Sequence, residues 1–302
     1  MVARPVLRQL TEWARDTGCT GVLGDSRDAG ARPELLVTAA DHAVAEPVSG
    51  DRSPVSTLPW GYGAAEAARI DAGESALCSL AVRQGVDVTV TGFPAPADTA
   101  TAPSEWVDAG RGAADARADA AVPLLLTGTL GTGATTTAAA VVGTLCNIEP
   151  VKVVGRGGGT VGISDEQWKH KAVAVRDLMF RARRHRRRPV DAAAVTEILD
   201  LIGSPDLAFT AGLLAQSAVR RTPVVLDGVS GLAAGLLADS LSAGASQWWL
   251  LPETPSEPGS AAAARRLSLS PVIEHPLGAP AAASGLLVLP LLDAAASLAR
   301  QG

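Results

Sequence analysis

Ring-bearing side chains are scarce: six Trp, three Phe and one Tyr make up 3% of 302 residues, while 47% of the chain is hydrophobic. Disordered and collagen-like chains are excluded by that apolar content. A core with so few rings has to be assembled from Ala, Val and Leu on closely packed elements, which suits a layered α/β protein. Cysteine is nearly absent. Cys19, Cys78 and Cys146 lie far apart, with no C-x-x-C or histidine-linked spacing, so neither a disulfide framework nor a zinc site is expected and no metal is predicted. A reducing cytoplasm fits that usage. Basic excess is lacking too: the formal net charge is −5, which argues against a chain devoted to neutralising nucleic-acid phosphates. The N-terminal stretch 1–8 has no sustained apolar region of the kind that directs secretion. The most apolar late segment, 281–292, is too short for a bilayer, contains Pro290 and ends at Asp293, so it reads as core and no membrane partner is expected.

What is present alternates. Apolar β-rich runs at 35–38, 86–90, 122–126, 223–226 and 247–251 are bounded by Gly, Pro or Asp, as buried parallel strands are. Helical patterns separate several of them, at 74–84, 135–146, 166–184, 191–201, 206–219 and 232–242. Alternating strand and helix implies crossover units and a parallel sheet. A single α/β domain is expected over 1–302, with residues up to about 25 in a small helical lobe. Segments 51–63 and 93–104 read as long surface loops, because apolar periodicity resumes on either side.

In such sheets, ligands bind beyond the carboxyl ends of the strands. One candidate loop runs from Gly128 through Gly131 and Gly133 to Thr135 and Thr136, opening an alanine-rich helix. Glycines there admit an anion to backbone N–H groups, and the helix dipole favours it. The competing explanation is a close-packed strand-to-helix turn. No Lys follows the last glycine, so this is not a Walker loop. A second cluster, Gly155-Arg156-Gly157-Gly158-Gly159, sets a cation beside permissive backbone, or is a surface loop. Asp41-His42, after the first strand, would orient a sugar hydroxyl, act in acid–base chemistry, or form a hydrogen-bonded turn. Asp227 would bind ligand or cap the next helix. Lys169, His170 and Lys171 share one helix and would pair with Asp165 or Glu166. One of Trp248 and Trp249 should face the core. The basic run 181–188 reads as a helix C-terminus followed by a solvated turn.

These pieces, in this order, resemble the nicotinate-nucleotide-dimethylbenzimidazole phosphoribosyltransferase family, which makes the α-riboside of the cobalamin lower ligand. The similarity rests on Ala39-Ala40-Asp41-His42-Ala43-Val44, Gly128 through Thr136, and Val154 through Gly159. It continues through Asp165-Glu166, Trp168 and Lys171, the stretch from Ala218 to Val229, and Glu257-Pro258-Gly259. The resemblance implies a doubly wound three-layer α/β homodimer with a mainly parallel sheet and helices on both faces. It implies substrates nicotinate mononucleotide and a benzimidazole, and needs no cofactor. A benzimidazole nitrogen attacks C1′ of the ribose and expels nicotinate with inversion, a carboxylate takes the proton, and loop amides hold the phosphate. The implied substrate-binding residues are Gly128, Gly131, Gly133, Thr135, Thr136, Gly155, Arg156 and Gly157, with Asp227 and Asp41.

The chain departs from the family where the proton is taken. The family's catalytic glutamate falls here on Ala281 or Ala279, and no acidic residue lies between His275 and Leu292. Thr129 and Ala134 replace a glutamate and an asparagine of the first glycine loop. Glu253, Glu257 and His275 are the candidate replacement bases. The alternative function is a catalytically degenerate paralogue that binds a nucleotide or α-riboside as a sensor or partner subunit.

Overall fold

The computed structural model describes residues 6–19, 32–48, 53–94, 101–157, 162–186, 190–202 and 204–301. The first half runs α1 (Val6–Thr17), β1 (Glu34–Ala39), α2 (Tyr62–Asp71), α3 (Ala76–Gln84), β2 (Asp87–Gly92), α4 (Pro103–Asp119) and β3 (Leu125–Leu130). It continues with α5 (Ala134–Leu145), α6 (Pro150–Val153), α7 (Asp165–Arg181), α8 (Ala192–Ile202) and α9 (Pro205–Val219). The last part holds β4 (Val224–Val225), α10 (Gly228–Leu241), β5 (Trp249–Glu253), α11 (Ser260–Arg266), β6 (Pro271–Ile273) and α12 (Ser284–Gln301).

The strands form one sheet in the order β2-β1-β3-β4-β5-β6, with every adjacent pair parallel. Side chains alternate across it. Leu35, Val37 and Ala39 of β1 enter one apolar cluster with Ile70, Leu77, Leu286 and Leu289, while Leu36 enters the other, with residues of α5 and α7 to α10. Helices on both faces of a parallel sheet make the expected doubly wound, three-layer α/β fold, and α1 is the helix described within the segment expected to form an N-terminal lobe. No helix among the described residues is long and apolar enough to cross a membrane.

The shortage of rings has a visible counterpart between α4 and α9. A Cβ on Gly110 would fall 1.9 Å from the Phe209 carbonyl oxygen, and one on Gly212 would fall 2.0 Å from that of Val107. The two backbones touch where larger residues would hold them apart.

Several boundaries differ from the sequence expectation. The third strand runs 125–130, not 122–126, because Ala121 ends α4 in the left-handed region (φ 56°) and Pro123 supplies no N–H for the ladder. Gly128 therefore lies inside a strand. Helix α4 begins at Pro103, within the segment read as a loop, with proline at the first helical position, where a missing N–H costs little. Strand β6 is three residues long and shows no periodicity. Trp249 is 1% exposed, so one of the two tryptophans does face the core.

Candidate functional site

The strand order reverses direction at β1 and β3, which opens the crevice where ligands of such folds bind. Asp41 closes its floor. Its carboxylate accepts the backbone N–H of Thr132 at 2.7 Å and of Gly63 at 3.1 Å, joining the β1 loop, the β3 loop and the start of α2. Gly131 crosses above it with φ +136°, and a Cβ there would fall 1.8 Å from the Ala40 carbonyl oxygen. Only glycine meets both demands. A Cβ on Gly128 would fall 2.2 Å from that of Ala282. These contacts give Gly128, Gly131 and Asp41 framework reasons, the Asp41 carboxylate holding three segments together.

His42 is also framework. Its Nε2 lies 2.9 Å from Asp206 Oδ1 and 3.2 Å from Ser204 Oγ, and its ring and the Asp206 carboxylate are each 1% exposed. Burial works against its charge, yet the Asp206 carboxylate, its hydrogen bond and the Thr132 carbonyl raise the His42 pKa above its ordinary value. Asp206 is lowered: burial raises it, and the His42 charge and hydrogen bonds from His42 and Ser204 outweigh that.

At the first turn of α5 the chain is set up differently. Gly133 is the helix N-cap in the left-handed region (φ 90°), and no side chain caps the helix. Thr136 is fully buried with no hydrogen-bond partner for its hydroxyl, while Thr135 is half-buried. Lys171 reaches Thr135 Oγ1 at 2.9 Å from α7, and its ammonium lies 3.5 Å from Glu257 Oε1. The other Glu257 oxygen accepts the N–H of Gly155 at 2.8 Å, and a Cβ on Gly155 would fall 2.2 Å from it. Thr135, Lys171, Glu257 and Gly155 thus join both glycine loops in one cluster. Desolvation lowers the Lys171 pKa, against the opposing pull of Glu257. An ammonium has three donors; Thr135 takes one, and Glu257 is held as an ion pair at 3.5 Å. Lys171 pairs with Glu257 and not with Asp165 or Glu166, since its side chain points inward from α7. A cavity of about 370 Å³ lies along the same α5/α7 boundary, lined by His42, Thr137, Leu178 and Arg181 among others.

The remaining candidates scatter. Arg156 is exposed and bound to Asp165 at 2.6 Å and to the Ile163 carbonyl, and its proximity holds the Asp165 carboxyl below its usual range. Gly157 has φ +83° and open space around it, whereas Gly158 and Gly159 lie outside the described residues. His275 is exposed beyond β6. Glu257 is committed to Lys171 and Gly155, and Glu253 accepts the N–H of Leu277. Asp227 is N-cap of α10 by backbone only. Its side chain leaves that helix uncapped and takes the N–H of Ala282 at 2.7 Å and the hydroxyl of Ser284. Of the basic run, Arg184 and His185 pair with Glu197 on α8, Arg183 lies over the Phe180 ring at 4.1 Å, and residues 187–188 lie outside the described ones. Sequence reasoning missed Asp206, Thr132 and Ser284, since each acts on a segment far away in the chain.

A doubly wound sheet whose glycine loops meet around a buried lysine at a helix N-terminus is a frame that can hold an anionic ligand. The family model DBI_PRT, described as phosphoribosyltransferase, matches residues 94–301. The chain is 37% identical over 288 residues to nicotinate-nucleotide-dimethylbenzimidazole phosphoribosyltransferase of Mycobacterium avium (strain 104), covering 87% of this chain and 78% of that one. It is 46% identical over 189 residues to the Corynebacterium glutamicum (strain ATCC 13032) protein of the same name, covering 63% of this chain and 50% of that one. The crystal structure of CobT from Thermus thermophilus superposes with a TM-score of 0.74 at 24% identity, over 97% of this chain and 96% of that one. The chain belongs to the nicotinate-nucleotide-dimethylbenzimidazole phosphoribosyltransferase family.

Proposed function

We propose that this chain transfers the phosphoribosyl group of nicotinate mononucleotide to 5,6-dimethylbenzimidazole. The carrying observation is the cluster of Thr135, Lys171, Glu257 and Gly155, which brings both glycine loops to the uncapped N-terminus of α5. The phosphate lies on the first-turn N–H groups of α5, with Gly133, Thr135 and Thr136 around it and the Lys171 ammonium beneath. Gly155, Arg156 and Gly157 border it from the second loop. The benzimidazole nitrogen that carries no proton attacks C1′, the bond from C1′ to the pyridinium nitrogen breaks, and nicotinate leaves with that electron pair. The second ring nitrogen of the base gives up its proton. Holding base and nucleotide in line supplies much of the acceleration.

The same reading makes the protein a cytoplasmic homodimer without a nucleic-acid partner. Helix α12 supports association by leaving Leu287, Leu291 and Leu298 exposed along one side, and light scattering on the purified chain tests it.

The deciding experiment incubates the protein with nicotinate mononucleotide and dimethylbenzimidazole and follows nicotinate and α-ribazole phosphate by mass spectrometry. Product above the protein-free control is expected, and Thr135→Val should weaken nucleotide binding about tenfold by removing one polar group of the cradle. Binding without product from the unaltered chain would make it a nucleotide-binding paralogue.

A further inference from the structure

We infer that Asp227 is the catalytic residue that accepts the proton of the incoming base, an assignment that rests on the transferase reading above. The carboxylates near the carboxyl edge of the sheet sort themselves by what already holds them. Asp41 is buried under the N–H groups of Gly63 and Thr132, Asp206 is bound to His42, and Glu257 to Lys171 and Gly155. Each of these is shielded from a ligand, and Asp206 and Glu257 face a cationic partner. Glu253 and Asp227 are left, at the ends of adjacent strands β5 and β4.

Asp227 has the better position. It follows β4 directly, beside β3 and its glycine loop, and it is partly exposed. Although it stands at the N-cap of α10, its side chain turns away from that helix. The carboxylate is aimed instead by Ala282 N–H and by Ser284, in the segment packed on Gly128 of β3 that carries no acidic residue. The Ala282 N–H and the Ser284 hydroxyl and N–H orient the group, and a carboxylate with about four acceptor sites still has one for a ligand. Desolvation raises its pKa to about 6; Ser284 and Ala282 pull it down and the Glu253 charge pushes it up. A carboxyl of that proton affinity is suited to proton transfer near neutral pH. Glu253 is the titratable group facing it. Residues 276–284, the first turn of α10 and the end of β3 carry none.

In the step, the benzimidazole N–H proton passes to the Asp227 carboxylate as the other ring nitrogen bonds to C1′ and nicotinate departs. Nothing is oxidised or reduced. The acid form then returns its proton to water.

The test measures kcat against pH, and the dissociation constant of nicotinate mononucleotide, for the unaltered chain and for Asp227→Asn, Ser284→Ala and Glu253→Gln. Asp227→Asn should lower kcat about 10²- to 10⁴-fold with nucleotide affinity within twofold. Ser284→Ala should move the acid limb of kcat to higher pH by removing a hydrogen bond to the carboxylate, and Glu253→Gln to lower pH by removing a like charge. A purely structural latch would move neither limb. The inference is overturned if Asp227→Asn keeps kcat within threefold, if it loses nucleotide affinity in step with kcat, or if neither limb shifts. The two limb shifts decide the matter should Asp227→Asn fail to fold. No product from the unaltered chain refutes the transferase reading and this inference with it, whereas an active Asp227→Asn refutes the inference alone.

Discussion

Lys171 of α7 and Glu257 of the β5–α11 loop lie 3.5 Å apart, with side chains 1% and 5% exposed. Removing either partner leaves a charge with neither water nor counter-ion, which costs about 3–5 kcal/mol. Lys171→Met and Glu257→Gln are each expected to lower unfolding free energy by that order in urea titrations. The double variant should cost much less than the sum of the two. Additive losses would show that the pair is not coupled.

Gly131 and Gly157 are both left-handed, yet only the first is crowded. Gly157→Ala is expected to cost roughly 1–2 kcal/mol, the ordinary penalty of a Cβ in that region. Gly131→Ala also drives a Cβ into the Ala40 carbonyl, so it should cost on the order of 3–5 kcal/mol or prevent folding. Thermal melts of the two variants check the difference, and similar midpoints would contradict the packing described.

His42 and Asp206 give the fold a pH dependence whose sign follows from their shifts. His42 is raised, so its stabilisation is complete below pH 6.5 and is lost as pH rises through its higher folded value. Asp206 is lowered, so its share is present above pH 3.8 and is lost as pH falls through its folded value. In Asp206→Asn the His42 ring should titrate below its position in the unaltered chain, seen by NMR. Stability should fall by about 3–5 kcal/mol at pH 6.

Asp227 works in the opposite sense to Asp206. Its pKa is raised from 3.8 to about 6, so between those values the folded chain holds the extra proton. Its contribution to stability falls as pH rises across that window and is level above it. Replacing it with Asn should remove this slope from the variant's curve, so that the difference between the two stability curves measured from pH 4 to 7 changes across that window. Parallel variation of the two curves through that window would rule out the shift.

The α/β class, most of the parallel strands and six of the twelve α-helices described were legible in the sequence because alternation and helical period are properties of neighbouring residues. So was the family, through glycine loops and the stretch around Asp227 that keep their order along the chain. The ends of elements were less so: β3 slid by several residues under a left-handed turn and Pro123, and β6 was too short to carry a period.

At the site, composition and spacing marked where anion chemistry belongs, and the marked residues divided only on folding. Gly131 and Gly128 face neighbouring backbone and side chains, while Thr135 meets Lys171 and, through it, Glu257, 122 positions away. No periodicity encodes such a meeting. A local pattern is written by residues that share a turn or a strand. A buried lysine acquires its partner, and a carboxylate its proton affinity, from whatever the crossovers of a parallel sheet carry to the same edge.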